Sequence, residues 1–194
     1  MEAPRDDVLH VRDPQALRAL AHPVRLRLIG LLRTEGPSTA TLLARRLDES
    51  SGTPSYHLRE LARYGFVGEV EGRGTGRERW WQALHRMTHW EVADFADEGS
   101  EVVDELTRML VAQRGTALQS WLAQRAALGQ EWDGASDLSD WGMRLTPDEA
   151  RELQRELGEV LDRWSAERAD REPAEGTEVV RVHLDLLPLK EWPL

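Results

Sequence analysis

SSGTPSYHLRELARYGFVGEVEGRGTGRERWW, residues 50–81, strings Arg59, Arg63, Arg73, Arg77 and Arg79 along a helical pattern followed by a hairpin pattern. Taken as a helix from about Thr53 to Tyr64 at 100° per residue, the segment gathers Pro54, Leu58, Leu61 and Ala62 on one side. Ser55, Tyr56, Arg59 and Arg63 fall on the other side, with His57 at the boundary. A short helix whose outer face is hydroxyl, phenol and guanidinium suits the major groove of DNA. Arginine grips guanine with two parallel hydrogen bonds, and hydroxyls reach bases or phosphates. The start of the helix, Ser51 to Thr53, offers free backbone amides to a phosphate. Past it, FVGEVEG and RERWWQAL read as strands around GRGTG, whose alternate glycines suit a flexible hairpin tip. Arg73, Arg77 and Arg79 therefore sit on a hairpin beside the polar helix.

Working upstream, DPQALRALAH reads as a short helix with Asp13 as cap and Pro14 in its first turn. His22 precedes Pro23 and is biased toward extended backbone, which places a break there. PVRLRLIGLLRTEG gives a second helix with Val24, Leu28, Leu31 and Leu32 on one face, stopped at Gly36-Pro37. STATLLARRL is a third, with Leu43 and Leu47 facing inward. Residues 1–12 read as a tail.

These residues carry a family resemblance. LRALAHPVRLRLIGLL, followed by LARRL and SSGTPSYHLRELARYGFV, resembles the ArsR-type winged helix-turn-helix regulators over about residues 13–84. The run Ser55, His57, Leu58, Leu61 is similar to the recognition helix of that family, with Gly65-Phe66-Val67 after it. The resemblance implies a dimeric, cytoplasmic transcriptional regulator that binds double-stranded DNA. By the resemblance Thr53, Ser55, Tyr56 and Arg59 would meet DNA, with Arg73 and Arg77 on the wing near the backbone. Together with the reading of the residues themselves, the expected DNA-binding set is Ser51, Thr53, Ser55, Tyr56, His57, Arg59, Arg63, Arg73, Arg77 and Arg79. Pro54 stands where the family usually has a small or β-branched residue.

The formal charge of the whole chain is -10, which opposes a polyanionic partner until it is divided. Residues 1–86 carry a net +3 and residues 87–194 a net -13. Such asymmetry implies two parts with different partners. The expected organisation is thus an α+β protein. A winged helix-turn-helix domain spans residues 13–86, and a helix-and-strand domain for dimerisation and effector binding spans residues 87–194.

In the acidic part, SEVVDELTRMLVAQRGTALQSWLAQRAAL reads as one long amphipathic helix. Val102, Leu106, Leu110, Ala117 and Trp121 form a seam near the 3.5-residue spacing, the expected homodimer contact. GQEWDGASD reads as a loop and LSDWGMRL as a short strand. TPDEARELQRELGEVLDRW starts a helix at Thr146, Pro147 and Glu149, and EVVRVHLDLLPL alternates as a further strand. Two strands around one helix suggest a βαβ unit. Six of the eight tryptophans lie in this half, and a small hydrophobic effector, where one exists, is expected among Trp121, Trp141 and Trp164.

Other function classes are disfavoured. The chain has no cysteine, which removes disulfides and thiolate metal sites. His85 and His89 are the only close histidine pair, and Arg86 between them argues for a domain junction rather than a metal site. No cofactor is implied. GRGTGR lies between strands rather than before a helix, so it is no phosphate loop, and no Ser/His/Asp set points to an enzyme. MEAPRDD lacks the apolar run of a secretory signal, and no apolar stretch reaches membrane-spanning length. The remaining alternative is a winged-helix module that contacts protein rather than DNA.

Overall fold

In the computed structural model, which describes residues 8–50, 52–74, 78–168 and 174–191, each early helix begins at a residue that satisfies its free amides. Asp13 accepts a hydrogen bond from the Gln15 N–H at 2.9 Å and opens α1 (Pro14–Leu20). His22 is extended, as a residue before proline should be, and its Nδ1 accepts from the Val24 N–H at 3.2 Å to open α2 (Pro23–Thr34). Thr39 caps α3 (Ala40–Leu47) through the Leu42 N–H. Asp48, at φ 55, then turns the chain toward α4 (Gly52–Arg63).

Helix α4 stops in a Schellman arrangement. The Phe66 N–H returns to the Leu61 carbonyl at 3.1 Å, and Gly65 supplies the left-handed residue at φ 74. This sends the chain straight into β3 (Val67–Glu69), which pairs antiparallel with β4 (Trp80–Ala83). The hairpin expected from sequence is present, with its tip at 75–77 outside the described residues. A strand that the sequence did not announce, β2 (Ser38–Thr39), pairs with the other edge of β4, so the sheet order is β2-β4-β3.

A second small sheet is also unannounced. Val8 to His10, read above as tail, form β1 (Val8–His10) and pair in parallel with β5 (Met87–His89). Arg33 of α2 ties this sheet down. Its Nε donates to the His85 carbonyl at 3.0 Å and its terminal nitrogen to Thr88 Oγ1 at 2.7 Å. Burial pulls the guanidinium down to about 10.

The chain is of the α+β class and falls into two compact units, Met1–Ser120 and Trp121–Leu194. The core of the first joins Leu17, Leu28, Leu58, Leu61 and Phe66, each without exposed surface, to Phe95, Val102, Val103 and Leu106. Burying one such leucine contributes roughly 1.5–3 kcal/mol relative to leaving it exposed. The unit therefore extends past Arg86, where the charge balance changes, through a 3-10 turn at Val92–Phe95 and into α5 (Ser100–Leu128). Gly99, at φ 105, admits this turn: a Cβ there would stand 3.2 Å from both Phe95 and Pro14.

Helix α5 has the bounds expected of it, but its apolar seam does not have the expected role. Val102 is 4% exposed and Leu106 fully buried in the chain's own core, and Leu110 is half-buried against the same core. Val102 and Leu106 are therefore taken up by the chain's own core and are corrected from dimer contacts to core residues. Ala117 and Trp121 are half-buried. The large apolar side chains α5 leaves exposed are Val111, Leu118 and Leu122. Gly115 lies among them, and nothing stands within 4 Å of where its Cβ would be. A glycine in a helix interior costs about 1 kcal/mol relative to alanine, and no packing among the described residues explains it.

The second unit departs further from expectation. The segment read as a loop after Leu128 contains a short helix, α6 (Gln130–Ala135), restarted after Gly129 with Glu131 and Asp133 in its first turn, where the helix dipole favours negative charge. Helix α7 (Pro147–Ala166) begins as read: Thr146 Oγ1 accepts from the Glu149 N–H at 3.3 Å, and the Glu149 carboxylate accepts from the Thr146 N–H at 2.7 Å. The strands expected in LSDWGMRL and EVVRVHLDLLPL do not form, and no βαβ unit exists among the described residues. Alternation qualifies a segment for a sheet, but a strand also needs a neighbouring backbone to pair with. Val179, Val180 and Val182 stay 60–65% exposed. Among the described residues no helix is long and apolar enough to cross a membrane.

The Arg33 clamp gives a direct expectation. Arg33→Ala removes two hydrogen bonds from a charged donor and leaves their acceptors half-buried, a loss of about 2–3 kcal/mol in urea denaturation. Arg33→Lys recovers only part, because an ammonium cannot reproduce the planar fork. A wild-type denaturation midpoint for the alanine variant would show that the clamp contributes nothing.

Candidate nucleic-acid interface

Leu58 and Leu61 are fully buried, and Pro54 with them, which fixes the rotation of α4 about its axis. That rotation turns Tyr56, 62% exposed, and the guanidinium side chains of Arg59 and Arg63 outward together. Ser55 and Thr53 are half-buried on the same helix, and Thr53 Oγ1 lies 3.0 Å from Ser50 Oγ at the helix entrance. The Thr53 N–H donates to the Ser50 carbonyl at 3.1 Å. Ser51 lies outside the described residues.

On the hairpin, the Arg73 guanidinium lies over the Trp80 ring, 3.9 Å from its centroid, which stiffens an otherwise free side chain beside the β4 backbone. Arg79 is differently placed. It pairs with Glu69 across the β3–β4 ladder at 2.7 Å, so its charge is largely answered within the chain. Arg77 lies outside the described residues. The structure thus brings together Tyr56, Arg59 and Arg63 on one face of α4 and keeps Arg73 on the adjoining hairpin.

His57 does not join them. It is 8% exposed and faces α2, its ring 4.3 Å from that of His22 at the α2 cap. The helical wheel left it at the boundary, and the crowding of α2 against α4 decides its side. It is therefore corrected from a DNA contact to a packing residue. Arg45, by contrast, was passed over. It is exposed on α3, and the spacing from Leu43 and Leu47 within ATLLARRL already puts it on the outer face. Its neighbour Arg46 is held by Glu35, with Nε to Oε2 at 3.1 Å.

Residues 20–70 match the family model of a helix-turn-helix domain. The match takes in α2, α3, α4 and β3, the elements that set out this face, and covers well under half of the chain. A search of the curated proteins finds no match to the chain.

His89 lies on β5 with its ring 5.3 Å from that of His10, and His85 lies in the β4–β5 connection, so the pair does not share a helix. Among the described residues no three potential metal ligands converge. In the second unit, Trp121 borders a surface cleft with Arg125, Asp133, Asp137 and Leu138. Trp141 and Trp164 are absent from it and stand 78% and 54% exposed, so the three tryptophans expected to form one pocket are not gathered.

The His22–His57 pair is expected to make the helix-turn-helix sensitive to acid. Burial holds both imidazoles below the usual histidine value, and Arg25 lowers both further, while Glu49 works weakly the other way. His57 also feels His22, and its buried Nδ1 has no hydrogen-bond partner. A folded histidine with a depressed value binds fewer protons than the unfolded chain. Its contribution to stability is therefore complete above about pH 6.5 and is lost as pH falls through the lower folded values. Protonating His22 would also turn the Nδ1 acceptor that caps α2 into a donor. Urea midpoints are expected to drop between pH 7.5 and 5.5, and His57→Gln to flatten that drop. An unchanged slope in the variant would remove the pair from the acid response.

Proposed function

We propose that this protein is a sequence-specific, double-stranded-DNA-binding transcriptional regulator of the ArsR-like winged helix-turn-helix kind. It acts in the cytoplasm, as a homodimer and without enzymatic activity, repressing by occupying its operator. The observation that carries the reading is the common outward face of Tyr56, Arg59 and Arg63 on the second helix of a matched helix-turn-helix, with Arg73 on the hairpin beside it. Arg59, near the middle of α4, is assigned to base reading, where a bidentate grip on guanine discriminates by about 1–3 kcal/mol. Arg63, at the end of α4, and Arg45 on α3 are assigned to phosphates, which position the protein without reading sequence. The motif order over residues 13–84 supports the narrower family reading, and a two-fold dimer would set two copies of α4 against half-sites about one DNA turn apart.

Selection of bound fragments from random DNA is expected to enrich a pseudo-palindrome. Arg59→Ala should cost about 1–3 kcal/mol and relax preference at one position per half-site. Arg63→Ala should weaken binding to all sequences alike and reduce the salt slope by about one per contact. If both variants bind like wild type, the arginine face is only a solvated helix surface.

A further inference from the structure

The second unit is short of a core. Among its described residues no side chain is buried, although residues 178–189 are rich in valine and leucine. Val180 and Val182 are 65% and 60% exposed, and none of this stretch is paired into a sheet among the described residues. Local chemistry fixes its two ends. The Thr177 N–H donates to the Ala174 carbonyl at 3.0 Å around Gly176, at φ 77, so the stretch starts at Glu178. Pro188 ends it, because proline has no N–H to give to a ladder. An unpaired apolar stretch between such limits is a template for a further strand.

The order of the side chains identifies that strand. Outward from His183 in both directions the sequence mirrors itself in chemistry: Val182 with Leu184, Arg181 with Asp185, Val180 with Leu186, Val179 with Leu187. Resting on the homodimer reading above, we propose that residues 179–187 pair antiparallel with the same residues of a second copy, with the two-fold axis through His183. Each Arg181 then stands directly opposite Asp185 of the other chain, twice over, and every apolar residue stands opposite an apolar one. Side chains alternate across a strand, so Val180, Val182, Leu184 and Leu186 of both chains line one face, unbroken by any polar group. The ion pairs lie on the other face, between Val179 and Leu187 at its ends. A parallel pair in register would set Arg181 on Arg181 and Asp185 on Asp185. A slip of one residue either way would set Asp185 against a valine. A self-complementary patch repeated by a two-fold axis is the pattern of an isologous interface.

The full chain has no cysteine, so introduced thiols report this pairing directly. Opposite pairs in an antiparallel ladder alternate between wide and narrow spacing, so His183 and the Val182–Leu184 pair are of different kinds. Under mild oxidation at least one of two preparations is expected to give a disulfide-linked dimer: His183→Cys alone, or an equal mixture of Val182→Cys and Leu184→Cys chains. Val179→Cys alone should give none, because two copies of that position would lie about 27 Å apart at about 3.4 Å per residue. Self-linkage of Val179→Cys would overturn the antiparallel order. Without any thiol, Arg181→Asp is expected to weaken the dimer about tenfold by setting carboxylates opposite one another, and adding Asp185→Arg to the same chain should restore it. Failure of the double variant to recover would overturn the opposition of these two residues. Wild-type protein that sediments as a dimer while neither preparation cross-links would overturn the self-pairing, give the stretch a different occupant and leave the homodimer standing. A wild-type monomer at micromolar concentration would remove both.

Discussion

The burial of one side of α4 is the constraint from which the rest of the protein's chemistry follows. Leu58 and Leu61 have no surface left to lose, so the helix cannot roll without exposing them. The polar residues opposite are thereby aimed before any partner arrives. Around this helix the other elements act as supports: α2 backs it through the His22–His57 contact, α3 leads into it through the left-handed Asp48, and Gly65 releases it into the hairpin. Side chains that arrive pre-oriented lose less freedom on binding, which is how a short helix with a few contacts gains useful affinity.

Charge works locally rather than globally here. A chain of net charge -10 can present a basic face because exposed charges separated by more than about 8–10 Å are largely screened in physiological salt. Internal pairing refines that face. Glu69 answers Arg79 and Glu35 answers Arg46, while Arg45, Arg59 and Arg63 stand exposed on the outer faces of α3 and α4. The acidic remainder adds an overall field that opposes loose, sequence-blind attachment to a polyanion. The number of arginines therefore matters less than where the fold places each of them.

What could be read from the sequence was whatever local chemistry governs. Asp13-Pro14 and Thr146-Pro147 with Glu149 are self-contained helix starts, and α5 was legible to its end residues because its pattern runs unbroken for 29 residues. The outward face of α4 followed from periodicity alone. The misses share a different cause. β1, β2 and β5 are two or three residues long and exist only through partners far away in the chain, so no local signal marks them. EVVRVHLDLLPL has the alternation of a strand without a neighbour to pair with. The seam of α5 was misassigned because the helix carries apolar residues on more than one side, and periodicity does not tell which side the chain uses itself.

The parallel pairing of β1 with β5 has a consequence for how the protein is made. Val8 leaves the ribosome before its partner Met87, which follows only after the whole helix-turn-helix and hairpin have been synthesised. At roughly 5–20 residues per second, the first strand waits several seconds with its edge unpaired while α1 to α4 assemble behind it. Closing so long a loop is entropically unfavourable until the intervening chain has condensed. The β1–β5 pairing thus follows the elements between its strands in birth order, and Arg33 on α2 is in place to receive β5 when it emerges.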